Sequence, residues 1–418
     1  MRRFQQHLIY YVKTEEKADT NTEITGIKVR CKEYMDSYVF LLSIAIILLA
    51  VKILGDATNR VNLTQVVGAL LAGIILGPSC LGLVEETDFI DKTAEIGVIL
   101  LMFTAGLDTD INEMKKNSRA CLVIALAGVL IPLLAGAACY YWFFAEEGAD
   151  SDEILKALFM GVILTATSVS ITVEALREMG KLDGKVGSAI LGAAVIDDIM
   201  GIIVLTVVIS LRNTEVSVMA LIIKILVYGI IMAAAGYLMN RFKEQIDQNS
   251  GKRRITTYAV AACFTVAFVS ETFFGIADIT GAYLLGLFLS QHKVKGEIAR
   301  KIAVPSYLFF SPVFFAGVGI KVHLGGFDRE TAIFSLILLA AAILSKVIGC
   351  GLGARLCGFS SAESLQIGVG MICRGEVALI VAQKGYAAGL VDGGMFPPVV
   401  AVVIATTVIA PIVLRRIM

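Results

Sequence analysis

Ionisable side chains are scarce in this chain. Lysine, arginine, aspartate and glutamate make up 17% of its 418 residues, against about 25% in ordinary soluble domains. Histidine occurs three times, each time outside the centre of an apolar run, which leaves little material for a histidine metal site. The eight cysteines (Cys31, Cys80, Cys121, Cys139, Cys263, Cys350, Cys357 and Cys373) are scattered, mostly within apolar segments. None pairs at C-x-x-C spacing, so a disulfide framework or thiolate metal site is not indicated. Net charge is zero, so no polyanionic partner such as nucleic acid is implied. No glycine-rich phosphate loop occurs anywhere, which argues against a nucleotide-binding regulatory domain in this chain. Residues 1–36 are polar and charged in both signs and lack the apolar h-region and cleavage site of a signal peptide. They read equally as a disordered tail or as sequence upstream of a natural start at Met35.

What is abundant is apolar surface. Hydrophobic residues reach 57% and mean hydropathy is +0.80, the signature of a polytopic membrane protein. A hydrocarbon core of about 30 Å takes around 20 helical residues. Apolar runs of that order predict about thirteen spans, near 37–55, 65–83, 93–108, 118–143, 154–176, 186–210, 216–238, 255–272, 275–291, 302–320, 331–353, 365–384 and 396–414. Alternate links are basic (Lys115, Lys116 and Arg119; Arg177, Lys181 and Lys185; Lys293, Lys295, Arg300 and Lys301). The opposite links, such as "VEETDFIDK" and "AEEGADSDE", are acidic. The positive-inside rule then puts the C-terminus, with Arg415 and Arg416, in the cytoplasm of a cell or inner-membrane protein. With an odd span count the N-terminus falls outside, where its basic residues fit poorly.

Few charges fall deep inside these spans. Asp197 and Asp198 lie in the sixth, Lys346 in the eleventh, and Arg374 with Glu376 in the twelfth. A carboxylate at mid-membrane costs about 2.5–3.5 kcal/mol on insertion scales, so charges retained there point to function. A purely structural role as ion pairs is the competing reading, but desolvation offsets most of the Coulomb gain of a buried pair. Adjacent helical residues point about 100° apart. Asp197 and Asp198 therefore serve different partners: one meets a lysine from a neighbouring helix while the other faces a cavity.

Two spans look interrupted at their centres. The fifth carries "LTATSVSITV", with hydroxyls at Thr165, Thr167, Ser168 and Ser170, and the twelfth carries "GVGMICRGEVAL", with Gly368, Gly370 and Gly375 around a buried charge. Non-helical backbone at this depth is tolerated only inside protein or beside a cavity. Spans four to six and eleven to thirteen each have the broken member in the middle and run in opposite directions. That is the plan of inverted repeats with crossed discontinuous helices. In it Arg374 and Glu376 balance the half-helix dipoles, and Asp198 faces the Thr167–Ser168 break.

In this order, "ATSVS", "VIDDI", "ITGAYLLGLFLS", "PVFFAGVGIKV" and "ICRGEVALI" resemble the motifs of the monovalent cation:proton antiporters of the second branch, over nearly all of residues 37–415. The resemblance implies an all-α sodium/proton antiporter fold and a homodimer. Its dimerisation part lies mainly at 37–108 and 255–320, its ion-binding core mainly at 118–210 and 331–415, and its linker helix at 216–238. It implies Asp198 as the carboxylate that alternately holds Na⁺ and a proton, and Asp197 as the neighbour paired with Lys346 of "LSKVIG". Thr167 and Ser168 fall at the unwound-helix hydroxyl positions, and Arg374 and Glu376 at the charge pair of the second broken helix. The related potassium-efflux antiporters usually carry glutamine before the aspartate. The "DD" here favours Na⁺/H⁺ exchange that is electrogenic and serves pH homeostasis, with K⁺ or Li⁺ left open and no cofactor beyond the transported ions. The chain is not read as an enzyme. An intramembrane aspartyl protease needs two carboxylates converging on one water, whereas adjacent helical residues diverge. A cation channel would need a carbonyl-rich filter, and none is visible.

Overall fold

The computed structural model describes residues 38–61, 63–144, 151–212, 218–248, 254–321, 329–391 and 395–418; the polar segment 1–36 lies outside the described residues. Every regular element among them is helical. In chain order these are α1 (Val39–Arg60), α2 (Gln65–Leu76), α3 (Asp88–Asp108), α4 (Ile111–Lys116), α5 (Ser118–Phe144), α6 (Ser151–Thr165), α7 (Val169–Glu178), α8 (Lys185–Arg212) and α9 (Val218–Arg241). They continue with α10 (Lys243–Asp247), α11 (Arg254–Phe274), α12 (Asp278–Leu289), α13 (Lys295–Ile320), α14 (Arg329–Leu356), α15 (Ser361–Gly370), α16 (Glu376–Ala387) and α17 (Phe396–Ile417). The chain divides into two compact units, Met1–Ile46 and Ile47–Met418. Of the first, only residues 38–46, the opening of α1, are described.

Nine helical segments among the described residues are long and apolar enough to cross a bilayer. The sequence-expected count of thirteen is larger for physical reasons that can be named. Helices α2 and α12 are apolar but only 12 residues each, and the 365–384 region is split into α15 and α16. Helix α3 is 21 residues long, but Asp88, Asp91, Lys92, Glu95 and Asp108 dilute its apolar character.

Within the second unit the helices sort into two sets. Helices α2, α3, α11, α12 and α13 pack chiefly on one another, as do α5, α6, α8, α14, α15 and α17. Close approach in the first set is made by glycine. A Cβ added at Gly106 of α3 would overlap the Tyr283 carbonyl oxygen of α12, and one at Gly286 would overlap the Phe103 carbonyl oxygen in return. Gly73 of α2 and Gly319 of α13 face each other's helices in the same way, the small-residue contact typical of membrane helices. The glycines of "GALLAGIILG" and "GAYLLGLFLS" are thus used in packing within the chain.

The second set has a layered interior. In α8, residues up to Ile196 join one apolar cluster and residues from Val204 join another. The same change falls between Ala342 and Ile343 in α14, between Ala166 and Val169 at the α6–α7 junction, between Cys373 and Val377, and between Val403 and Ala410 in α17. Five helical spans therefore switch clusters at one level, where Thr167, Asp197, Arg374 and Thr407 are buried. A polar layer separates two apolar ones.

At the rim, His292 in the α12–α13 link has a side chain 1% exposed, with Nδ1 3.5 Å from Asp247 Oδ1. Asp247 Oδ1 also accepts the Lys293 amide at 2.9 Å. Burial holds the His292 pKa below its ordinary 6.5, outweighing the pull of Asp247, and Lys243 pushes in the same direction. The unfolded link takes up its proton before the folded one, so its stability is complete above pH 6.5 and falls as the pH drops below that value. Amide hydrogen exchange across 290–295, corrected for intrinsic rates, is expected to accelerate below that pH. In His292→Gln the acceleration should vanish; its persistence would place the sensitive group elsewhere.

Candidate ion-binding site

Two helices fail at the polar layer, and they fail against each other. Helix α6 ends at Thr165, whose hydroxyl turns back to donate to the Val162 carbonyl at 2.7 Å. Residues 166–168 are non-helical, and α7 starts at Val169 with the extended Ser168 as N-cap. Helix α15 is launched by a capping box in which Ser360 and Glu363 exchange side-chain and backbone bonds, and it ends at Gly370. Residues 372–375 are non-helical before α16 begins. The two breaks are stitched together. The Ser168 amide donates to the Cys373 carbonyl at 2.7 Å, and the Thr172 hydroxyl donates to the Gly370 carbonyl at 2.8 Å. Gly375 lies against Ser168 so closely that an added Cβ would stand 2.7 Å from its Oγ. Only glycine fits there.

Arg374 occupies the crossing and is 1% exposed. Its Nη2 donates to the Leu164 carbonyl at 2.6 Å and its Nη1 to the Ile372 carbonyl at 3.0 Å. One cation thus sits on the last turn of α6 and just past the end of α15, where two helix dipoles turn their negative ends. The Arg374 carbonyl accepts a hydrogen bond from Thr407 of α17. The side chain of Glu376, expected as the partner charge, lies outside the described residues.

Asp197 and Lys346 form a buried ion pair. Lys346 Nζ donates to Oδ1 at 3.0 Å and Oδ2 at 3.1 Å, and the two side chains are 0% and 2% exposed. Asp197 also interacts with the Thr167 hydroxyl and with the positive charge of Arg374. The sequence pattern set Asp198 opposite the Thr167 break; in the structure Thr167 meets Asp197. Asp198, rotated by about 100° along α8, is only half-buried. One carboxylate is sealed against a lysine, and the next keeps partial exposure. The pair is walled by Gly128 of α5, where an added Cβ would lie 3.6 Å from Asp197 Oδ1, 3.7 Å from Lys346 Nζ and 2.6 Å from Cys350 Sγ.

Sequence reasoning passed over Gly128, Thr172 and Thr407. A signal existed for the last: the "TT" at 406–407 stands mid-span in the thirteenth span, as "DD" does in the sixth.

Two crossed broken helices, joined at mid-membrane depth beside a buried acid–base pair, define an ion-coupled secondary transporter with inverted repeats. Residues 40–418 match the family described as sodium/hydrogen exchanger, transmembrane, and the chain belongs to that family. It is 37% identical over 378 residues to the Na⁺/H⁺-K⁺ antiporter GerN of Bacillus cereus, covering 90% of this chain and 95% of that protein. It is 36% identical to a Na⁺/H⁺ antiporter of Enterococcus hirae, covering 89% and 96%. The fold matches the sodium proton antiporter MjNhaP1 of Methanocaldococcus jannaschii with a TM-score of 0.68 over 91% of this chain and 94% of that one, at 16% identity.

Removing one partner of a buried ion pair leaves an uncompensated charge and costs about 3–5 kcal/mol. Lys346→Met should therefore lower the thermal stability of the purified protein markedly. Adding Asp197→Asn should recover most of that loss. If the double variant is no more stable than the single one, the pair is not what stabilises the layer.

Proposed function

We propose that the chain exchanges Na⁺ for H⁺ across the cell membrane by alternating access, with Asp198 as the carboxylate that holds either ion. The observation that carries this reading is the unequal burial of adjacent aspartates beside two crossed helix breaks. Asp197 is held by Lys346, while Asp198 is half-buried one residue on. Hard monovalent cations prefer oxygen ligands. Asp198 supplies a carboxylate, and Thr167, which in this structure is bonded to Asp197, and Ser168 supply hydroxyl oxygens when the site takes up the ion. A proton neutralises the same carboxylate, so the two substrates compete for one site, and an empty charged site is costly to move through lipid. The family is one of transporters, and the chain is not an enzyme.

In this reading α5–α8 and α14–α17 form the ion-binding core, and the glycine-packed set around α2, α3, α12 and α13 forms a dimerisation scaffold. Helix α9, largely exposed apart from Tyr228 and Met232, is the linker between them, and the working unit is a homodimer. The basic links, with the C-terminal Arg415 and Arg416, lie in the cytoplasm. K⁺ as a second substrate is favoured by the identity with GerN, whose name carries both cations.

Two protons for one Na⁺ follow if Na⁺ at Asp198 loosens the Asp197–Lys346 pair and the lysine gives up its proton. The cycle is then electrogenic.

Proteoliposomes with an internal pH dye test the site. Asp198→Asn should reduce Na⁺-driven proton movement at least 100-fold while the protein stays folded; exchange at the unmodified rate would remove Asp198 from the site. Voltage tests the stoichiometry. At fixed Na⁺ and pH gradients, an imposed potential should change the wild-type rate, and Lys346→Gln should keep some exchange but lose that response. Wild-type exchange indifferent to potential would leave Lys346 as a structural partner of Asp197 only.

A further inference from the structure

Helix α7 carries the proposed site at one end, with Thr167 and Ser168 at its start, and a charged tip at the other. The tip, Arg177 and Glu178, lies ten residues on from Ser168, about 15 Å away at 1.5 Å per residue. The chain leaves it sharply: Gly180 adopts φ +65°, the Gly180 amide donates to the Arg177 carbonyl and the Lys181 amide to the Leu176 carbonyl, both at 2.9 Å. The left-handed turn needs glycine and ends α7 directly after both charged residues.

Both reach across to the other set of helices. Arg177 Nη2 donates to Asp108 Oδ2 at 3.0 Å and to Thr104 Oγ1 at 3.1 Å, four residues apart on one face of α3. Its Nη1 donates to Glu174 Oε2 at 3.4 Å, one turn back on α7. The guanidinium also stands 5.8 Å from the centre of the Tyr307 ring of α13, within cation–π range. Glu178 accepts the amides of Gln65 at 2.8 Å and Val66 at 3.2 Å. These are the first amides of α2, whose own N-cap, Thr64, makes no side-chain capping bond. A carboxylate there is favoured by the helix dipole and replaces the missing cap. The charge on Glu178 is opposed in turn by Arg415 of α17.

Among the described residues the boundary between the two sets also holds a mostly apolar cleft. Leu70 and Ile74 of α2 and Val318 of α13 face Leu379 of α16 and Val403 of α17 across an open cleft. Apolar surfaces slide with little directional preference, whereas charge-assisted bonds have fixed geometry. The polar links between α7 and the α2–α3–α13 set are thus concentrated at the tip.

We propose that Arg177 and Glu178 form a clasp that holds α7 shut against α2 and α3, and that the clasp opens in every transport cycle to admit ions from the membrane face at the tip. They are positioning residues: neither touches the proposed ion site, and both act through α7. The inference rests on the alternating-access reading above.

The test joins cysteines introduced as Asp108→Cys and Arg177→Cys with a short bifunctional thiol reagent that can be cleaved, in a background whose reactive cysteines are replaced. Before joining, Na⁺-driven proton movement should be measurable, which reports the antiport reading separately. Joining should lower it at least 10-fold, and cleaving the reagent should restore it. Unchanged exchange in the joined protein would overturn the clasp while leaving antiport standing. A second measurement needs no substitution. In the wild-type protein, adding saturating Na⁺ should change amide hydrogen exchange at Gln65 and Val66 several-fold, because the amides are freed whenever the clasp opens. Identical exchange with and without Na⁺ would mark the Glu178 contact as a static cap and overturn the proposal. In Glu178→Gln, which keeps an acceptor but loses the charge, exchange at the same two amides should rise and the Na⁺ response should shrink.

Discussion

Backbone carbonyls released in the middle of a membrane have no water to bond, and the fold is arranged around one cation that meets this need. Arg374 donates to Leu164 at the end of α6 and to Ile372 just past the end of α15, so a single guanidinium serves both interrupted helices. Lysine could not replace it, because a planar fork reaches two diverging acceptors that a point charge cannot. The same break is held by the Ser168–Cys373 backbone bond and by Gly375 against Ser168. With the crossing fixed, the hydroxyls of Thr167 and Ser168 have a defined position. The polar layer can then persist between two apolar clusters with its freed backbone carbonyls bonded inside the protein.

Charge in that layer is divided between neighbours. Asp197 is neutralised by Lys346 and shielded by Gly128 and Cys350, so it adds a fixed dipole and little net charge. Asp198, one residue further, keeps partial exposure. A single aspartate could be buried or reachable, but not both. Two adjacent ones on a helix separate the functions by the 100° turn between them, with no need for an additional element.

Much of this was readable beforehand, because the signals are local and strong. Apolar runs long enough to span a bilayer, hydroxyl and glycine clusters at their centres, and charges where none are tolerated without cause all appear in the linear sequence. The Na⁺/H⁺ exchanger family was reachable from the order of motifs such as "ATSVS" and "VIDDI". What stayed hidden depends on distance in the chain. Thr167 meeting Asp197 rather than Asp198 is set by the rotation of α8, which neighbouring aspartates leave ambiguous by one residue. Gly128 looks like any other small residue until α14 brings Lys346 and Cys350 against it. The Glu178 cap on α2 joins residues more than 100 apart, and Arg177 in a basic loop reads simply as a topology signal. The glycines of α2, α3, α12 and α13 pack α3 on α12 and α2 on α13, and glycine patterning alone does not say which helix approaches.

The two repeats each carry a broken helix and differ in chemistry. Asp197 on α8 addresses the first break through Thr167, and Thr407 on α17 addresses the second through the Arg374 carbonyl. Where one repeat has a carboxylate pair, the other has a pair of threonines. Two aspartates on each side would place four negative charges in a layer whose cations are Lys346 and Arg374, at a depth where each unpaired charge costs several kcal/mol. A layer with carboxylates on one side pairs Asp197 with Lys346 and holds Arg374 on backbone carbonyls, which leaves Asp198 as the one half-buried carboxylate of the two. The asymmetry divides two tasks: the repeat without carboxylates supplies Arg374 and a neutral hydroxyl that hold the crossing still, and the other supplies the sealed Asp197 and the half-buried Asp198.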